Sequence, residues 1–188
     1  MSRLSYFGIV SWVHNFLSLV IEPGDKIIDA TCGNGKDALC IAKLLRGQGQ
    51  LSLYDIQEAA LNKSRNLLST HLTQEEMHTI IFQHCSHDVF LETEADLVIY
   101  NLGYLPGGDR SCTTIADITI MSLRNAVFIL NPNGHIIVTC YPGHQEGLSE
   151  LQVVREFVAE LDSKKWTVFN YRIVNRNNPP ETFIMSRH

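Results

Sequence analysis

The sequence has no apolar run that approaches the ~20 residues needed to cross a bilayer, and its first residues lack the charged and apolar regions of a secretory signal. Its five cysteines, Cys32, Cys40, Cys85, Cys112 and Cys140, are scattered and form no C-x-x-C pair. This distribution excludes a disulfide framework and a zinc ribbon. We therefore expect a cytoplasmic protein with reduced thiols, no membrane contact and no structural metal.

Basic residues are also scarce. The chain has 15 Lys and Arg against 20 Asp and Glu, which gives a formal net charge of −5 at pH 7. A protein that holds nucleic acid by charge alone carries the opposite excess. Any nucleic-acid partner would therefore need a specific site.

The remaining composition is that of a folded domain. Of the 188 residues, 45% are hydrophobic and 19% are charged, which is enough apolar material for a sizeable core. Long tracts of Pro, Gly, Ser or Gln are absent, and so are internal repeats and linkers. We expect residues 1–188 to form a single domain that begins with a helix at about residues 4–21.

Periodicity predicts strands that alternate with helices. The predicted strands cover residues 26–30, 50–55, 79–83, 95–100, 135–141, 167–174 and 182–185. The predicted helices cover residues 4–21, 36–46, 58–70, 118–130 and 147–161. Since residues 175–180 leave no room for a helix, the last two strands should pair antiparallel. The expected fold class is α/β, with a seven-stranded, mostly parallel sheet and a C-terminal antiparallel hairpin.

Two acidic residues and a glycine loop mark one edge of this sheet. Asp29 closes the first predicted strand, Gly33 and Gly35 follow it, and Asp55 closes the second strand. Ligands of doubly wound sheets bind at the carboxyl ends of the strands. Because Asp55 stands twenty positions beyond Gly35, its carboxylate is placed to accept hydrogen bonds from two ribose hydroxyls. A nucleoside cofactor is implied.

The glycine loop permits two classes of cofactor. Residues 33–38 fit G-x-G-x-x-A, the dinucleotide fingerprint, so a nicotinamide or flavin enzyme is one hypothesis. Asp29 would repel a pyrophosphate and attract a sulfonium or amino group, which favours S-adenosylmethionine. Metal binding is not expected, because the cluster at residues 84–87 lacks a third and fourth spaced ligand.

The chemistry is expected where the fourth and fifth strands end. Asn101 and Tyr104 have the N-x-x-Y spacing of the Asn-Pro-Pro-Tyr loop in nitrogen methyltransferases, where the amide oxygen aims the target nitrogen. A Gly-Pro turn with Tyr104 in surface packing is the alternative. Tyr141 and His144 follow the fifth strand, and His144 would orient substrate, relay a proton or serve structure. His14 is expected to serve packing or capping.

Four segments together resemble one family: residues 29–37 (DATCGNGKD), 55–57 (DIQ), 101–109 (NLGYLPGGD) and 141–144 (YPGH). They are similar to the stand-alone class I methyltransferases long labelled putative rRNA methylases. That family includes the bacterial enzyme that methylates the amino group of 5-aminomethyl-2-thiouridine at the tRNA wobble position. The resemblance extends over nearly the whole chain, and it implies a Rossmann-like fold and S-adenosylmethionine as methyl donor.

The resemblance also implies functional residues. The cofactor pocket would be lined by Asp29, Thr31, Gly33, Asn34, Gly35, Asp37, Asp55, Ile56, Gln57, Ser86, His87 and Asn101. The substrate would meet Leu102, Gly103, Tyr104, Arg110, Tyr141 and His144, with residues 113–119 nearby. The catalytic residues would be Asn101, Tyr104, Asp109 and His144.

The expected partner is tRNA, with rRNA or a protein amide as the alternative acceptor. A homodimer would widen the RNA-binding surface. The non-enzyme alternative is a catalytically silent RNA- or nucleotide-binding module.

Overall fold

A computed structural model of the chain describes residues 8–103 and 116–188. Its strands are β1 (Lys26–Asp29), β2 (Gln50–Asp55), β3 (Ile80–His84), β4 (Ala95–Leu102), β5 (Leu130–Cys140), β6 (Trp166–Arg172) and β7 (Glu181–Arg187). Its helices are α1 (Ile9–Val20), α2 (Lys36–Leu45), α3 (Glu58–His71), α4 (Gln74–His78), α5 (Ala116–Ile129) and α6 (Gln145–Ala159). The first part of the predicted N-terminal helix, residues 4–7, lies outside the described ranges, as do the predicted site residues Tyr104, Asp109 and Arg110.

The seven strands form one sheet in the order β3-β2-β1-β4-β5-β7-β6. The pairs among β1 to β5 are parallel, while β7 runs antiparallel to both β5 and β6. The expected α/β class, the mostly parallel sheet and the C-terminal antiparallel hairpin are confirmed. That all 188 residues form one domain stays a prediction.

The core lies on both faces of the sheet, because helices cover each face. Neighbouring residues of β1 point to opposite faces: Ile27 packs with Leu17 of α1 and Ile41 of α2, whereas Ile28 packs with Leu123 of α5. Within the described ranges, no helix has the length and apolar character needed to span a membrane.

The short helix α4 has no counterpart among the predicted elements. It begins with a capping box, in which the Thr73 hydroxyl accepts the Glu76 backbone N–H and the Glu76 carboxylate accepts the Thr73 backbone N–H. The T-x-x-E spacing was a usable signal. Apolar periodicity does not reveal this helix, because five residues are too few to show it.

The glycine loop between β1 and α2 is fixed by its contact with α3. Gly35 has a φ of 77°, and a Cβ at this position would lie 2.7 Å from the Ser64 Oγ and 2.9 Å from the Ser64 Cα. The same Ser64 hydroxyl donates to the Gly33 carbonyl oxygen at 2.9 Å. A side chain is therefore excluded at residue 35 by the packing of helix on loop.

Replacing Gly35 by Ala tests this packing. Gly47 is a matched control, since its φ is 75° but a Cβ there would find its nearest atoms at 3.7 Å. Gly47→Ala should cost about 1–2 kcal/mol for the left-handed backbone, and Gly35→Ala about 1–3 kcal/mol more for the collision. Urea unfolding measures both values, and equal losses would contradict the packing explanation.

Candidate active site

The carboxyl ends of four neighbouring strands bring the principal predicted residues to one edge of the sheet. Asp29 ends β1, Asp55 ends β2, Asn101 is the penultimate residue of β4, and Tyr141 directly follows β5. Parallel pairing keeps these ends in register, with Asp29 opposite both Leu53 and Ile99. The cluster is therefore a direct consequence of parallel strand order.

Asp55 is tied to the glycine loop by backbone hydrogen bonds. The Gly33 N–H donates to its Oδ2 at 3.0 Å, and the Gln57 N–H donates to its Oδ1 at 2.9 Å. Burial raises the pKa of Asp55 above its usual range. A carboxylate offers about four acceptor positions, so each oxygen of Asp55 retains capacity for a further donor such as a ribose hydroxyl.

Asp29 has a buried carboxyl oxygen that lacks a hydrogen-bond partner among the described residues. Its side chain is 1% exposed, and its Oδ1 accepts the Thr31 N–H at 3.2 Å. Its Oδ2 is buried without a hydrogen-bond partner among the described residues. Burial first, and the nearby charge of Asp37 second, raise the pKa of Asp29 well above its usual value. A cationic ligand would stabilise this carboxylate in its ionised form.

Asn101 is held by three contacts from three elements. Its backbone N–H donates to the Thr31 Oγ1 at 2.7 Å. Its Nδ2 donates to the Asp37 Oδ2 at 2.5 Å. Its Oδ1 lies 3.5 Å from the Tyr141 hydroxyl, on the other side of the amide. The side chain is therefore oriented, with its amide oxygen toward Tyr141.

His14 takes part in this network, and the expectation that it serves packing or capping stays a prediction. Its Nε2 lies 2.5 Å from the Asp37 Oδ1. The hydrogen bond to Asp37, followed by one to Cys40, raises the pKa of His14 to about 10. His14 lies one turn before the buried Leu17 and is itself half-buried, and a polar group withdrawn from water needs a hydrogen-bond partner.

Two residues after β5 frame the other side of the cluster. Burial, with a smaller effect of Asp37, raises the pKa of Tyr141 to about 12, so its hydroxyl stays protonated and able to donate. His144 is the N-cap of α6, where its Nδ1 accepts the Gly147 N–H at 3.1 Å. This is the structural role considered from sequence, and a role of His144 in proton transfer stays a prediction.

Three residues of the expected cofactor pocket lie after β2 and β3. Ile56 is 55% exposed, as an apolar surface for a base would be, and its carbonyl oxygen lies 3.1 Å from the His84 Nε2. His87 is buried edge-on to the Tyr100 ring, and burial lowers the pKa of His87 to about 4. The imidazole is therefore neutral at physiological pH. Contacts of the cofactor with Ile56, Ser86 and His87 stay predictions.

The structure limits how Leu102 could meet a substrate, and the contact itself stays a prediction. Leu102 is fully buried in the core, because β4 extends to residue 102 and side chains alternate along a strand. With Asn101 facing the cluster, the Leu102 side chain faces the opposite way. Only its backbone is available to a substrate. Gly103, the last described residue before the gap, is half-buried at a φ of 146°.

Further predicted residues lie around this edge. Asn34 and Gln57 are half-buried at its rim. Thr119 is buried and donates to the Glu150 carboxylate at 2.6 Å, which joins α5 to α6. Residues 113–115 lie outside the described ranges. Across residues 8–103 and 116–188, no group of three or more His, Cys, Asp or Glu is placed to hold a metal ion.

Comparison with known proteins identifies the family. The sequence profile described as "Putative rRNA methylase" matches residues 51–187, well over half of the chain. The chain belongs to this family. A crystal structure described as a putative rRNA-methylase from Clostridium thermocellum shares 29% identity, with 96% of this chain and 98% of that one covered and a TM-score of 0.90.

Two further relatives carry information on ligands. A putative methyltransferase from Streptococcus mutans, solved in complex with SAH, shares 29% identity over 95% of this chain and 97% of that one, with a TM-score of 0.83. The "tRNA (mnm(5)s(2)U34)-methyltransferase, chloroplastic" of Arabidopsis thaliana is 34% identical over 176 residues, which cover 88% of this chain. The match covers 64% of the plant protein, so the chain spans less than two-thirds of that relative.

This protein is a class I methyltransferase, and its methyl donor is S-adenosylmethionine. The expected enzyme class and cofactor are confirmed, and the dinucleotide hypothesis is set aside. The residues fit this donor, because the unpartnered Asp29 oxygen suits a cation and Asp55 retains acceptor capacity for ribose hydroxyls. When bound, S-adenosylmethionine supplies an electrophilic methyl group on a positively charged sulfur.

The Asp29→Asn substitution should have opposite effects on the stability of the fold and on the affinity for S-adenosylmethionine. Folding raises the pKa of Asp29, so the folded protein binds this proton more tightly than the unfolded chain, and stability falls as pH rises above about 4. Removing the charge should raise the Tm at pH 7 by about 2 °C or more. Affinity for S-adenosylmethionine should fall at least about tenfold, because the buried charge that meets the cation is lost.

Thermal unfolding and titration calorimetry measure these two effects. Asp162→Asn is the matched control, since Asp162 is exposed and its carboxylate accepts the Lys164 N–H at 2.9 Å. An Asp29→Asn protein with lowered Tm and unchanged affinity would contradict the role assigned to this carboxylate.

Proposed function

We propose that this enzyme methylates the primary amine of a 5-aminomethyl group on uridine, with or without the 2-thio group, at the tRNA wobble position. The product is the 5-methylaminomethyl nucleoside. The observation that carries the proposal is the oriented amide of Asn101 beside Tyr141 in an acidic pocket. The name of the Arabidopsis relative supports the same acceptor.

Positioning is the main work of these residues, because methyl transfer to nitrogen creates no oxyanion that needs stabilising. The Asn101 Oδ1 accepts a hydrogen bond from the acceptor amine and directs the nitrogen lone pair. Tyr141 packs against the planar uracil ring, while its hydroxyl stays toward the Asn101 amide oxygen. A well-oriented pair of reactants reacts as if at very high local concentration.

The amine must also lose a proton. A primary alkylamine resembles lysine, whose pKa is about 10, and is mostly protonated at neutral pH. Burial beside Tyr141 disfavours the ammonium form. Asp109 or His144 accepts the proton, directly or through water, a step typically worth ~10²–10⁴ in rate.

The decisive experiment compares acceptors. Radiolabelled methyl transfer is measured on tRNA that carries 5-aminomethyluridine, on the same tRNA without that group, on rRNA and on bulk protein, with nucleoside mass analysis. Label should enter only the first substrate. Label in rRNA or protein would favour the alternative acceptors, and none in any substrate, with cofactor bound, would favour the silent binding module.

Asn101→Ala should lower kcat by about 10² or more, because the acceptor amine loses its orienting partner. The affinity for S-adenosylmethionine, measured by calorimetry, should change much less. Asn62→Ala is the matched control, since Asn62 is an exposed residue of α3 whose amide oxygen accepts a hydrogen bond from Arg65. Equal losses of turnover and affinity in Asn101→Ala would refute the assignment.

RNA contact is proposed at the end of the β6–β7 hairpin. Arg172 pairs with Glu181, which pairs with Cys140, the residue before Tyr141. The hairpin end therefore lies two strand spacings, ~10 Å, from the cluster. Arg172 and Arg176 are exposed, and neither forms an ion pair with a described residue.

Glu181, the strand partner of Arg172, is already neutralised. The Glu181 carboxylate is 5% exposed and accepts from the Arg155 Nε at 3.2 Å and from its Nη2 at 2.7 Å. Arg172 and Arg176 are thus available to backbone phosphates. A homodimer that would widen this surface stays a prediction.

The double variant Arg172→Gln/Arg176→Gln should weaken tRNA binding and reduce the slope of log affinity against log salt by about 2. Lys164→Gln/Lys165→Gln is the control, since it removes the same charge from the turn before β6, at the opposite edge of the sheet. Filter binding at several salt concentrations measures the slope. A larger effect from the lysine pair would contradict the proposed surface.

A further inference from the structure

The two ends of the Asn101 amide are not equivalent for catalysis. Its oxygen accepts a hydrogen bond from an amine, whereas its NH₂ group only donates. An amide turned by 180° would present donors to the acceptor and could not direct its lone pair. The enzyme therefore needs a device that fixes which end faces the substrate.

Asp37 is that device. An ionised carboxylate only accepts hydrogen bonds, so the contact of 2.5 Å to its Oδ2 requires the NH₂ end of Asn101 on that side. The oxygen end must then face Tyr141, at 3.5 Å from its hydroxyl. The amide orientation follows from the chemistry of its neighbour.

Asp37 is itself held from a separate helix. It lies in the first turn of α2, and its side chain is 13% exposed. The His14 Nε2, from α1, lies 2.5 Å from its Oδ1, while Asn101 occupies its Oδ2. Both oxygens are engaged, and the carboxylate cannot rotate without breaking one of these bonds.

We propose that His14 is a positioning residue for methyl transfer, which acts through Asp37 to hold the Asn101 amide oxygen toward the acceptor amine. The acceptor itself rests on the proposed function. The orientation of the amide does not, since it is built from three side chains of the protein alone.

Substitutions at His14 and at Asp37 should have distinct consequences. His14→Ala leaves the Asp37 Oδ1 without its partner, so that the carboxylate and then Asn101 gain alternative rotamers. His14→Gln restores an N–H donor at similar reach. Asp37→Asn places an NH₂ group against His14 or Asn101, both donors, and thereby favours the turned amide.

Steady-state kinetics on tRNA carrying 5-aminomethyluridine give the first readout. We expect kcat to fall about 10- to 100-fold in His14→Ala and Asp37→Asn, with partial recovery in His14→Gln. The KM for tRNA should change less than about threefold, since no RNA contact is removed. His71→Gln is the matched control, an exposed histidine in the last turn of α3, and should keep the wild-type kcat.

The second readout needs no substrate. In the NMR spectrum of the ligand-free enzyme, the side-chain NH₂ resonances of Asn101, assigned by their loss in Asn101→Ala, should be widely split by the charged bond to Asp37. His14→Ala should collapse this splitting, His14→Gln should largely keep it, and His71→Gln should leave it unchanged.

The outcomes separate the two proposals. A wild-type enzyme that transfers no methyl group to this tRNA overturns the proposed function, and the NMR comparison still decides the role of His14. Unchanged Asn101 resonances in His14→Ala, or a kcat equal to that of the wild type, overturn the positioning role. If His14→Ala does not fold, wild-type splitting and kcat in His14→Leu, which fills the same space without a donor, overturn it equally.

Discussion

Three carboxylates at one edge of a parallel sheet are the constraint on which this site depends. A carboxylate that is withdrawn from water needs hydrogen-bond donors or a positive charge nearby. The three carboxylates differ in how far the protein meets this need. Asp55 receives two backbone N–H groups, and Asp37 receives an imidazole and an amide. Asp29 keeps one oxygen without a partner among the described residues. A positively charged ligand would therefore stabilise the Asp29 carboxylate, and a sulfonium donor carries that charge.

The N-terminal helix belongs to the site as well as to the core. Val13 and Leu17 of α1 pack against the face of the sheet that α2 also covers, together with Ile41. That packing brings His14 to Asp37 across 23 positions of sequence. The protonated imidazole also offsets one negative charge beside Asn101, which lessens the tendency of an acidic pocket to keep an amine protonated.

What the sequence could reveal depended on distance along the chain. Asp29, Asp55 and Asn101 were predictable together because parallel strands bring their carboxyl ends to one edge. The bond from Asn101 to Thr31 joins residues 70 positions apart and depends on atomic register, which periodicity does not encode. Gly35 was predicted to line the cofactor pocket, but the structure shows that Ser64 also excludes a side chain there. The sequence alone cannot distinguish these two reasons for a glycine.

The proposed reaction makes two opposite electrostatic demands on one edge of the sheet. Negative charge attracts a cationic methyl donor and a protonated amine, but it repels the phosphates of an RNA backbone. The two demands are met at different strands. The carboxylates lie at β1 and β2 and on α2, and the exposed arginines lie at the hairpin of β6 and β7, beyond β4 and β5. An RNA strand lying across this edge would meet positive charge beneath its phosphates and negative charge only where a nucleoside projects inward. Such an arrangement favours a base that carries a basic amine over one with uncharged ring nitrogens, so the charge pattern contributes to selection of the acceptor before any hydrogen bond to Asn101 forms.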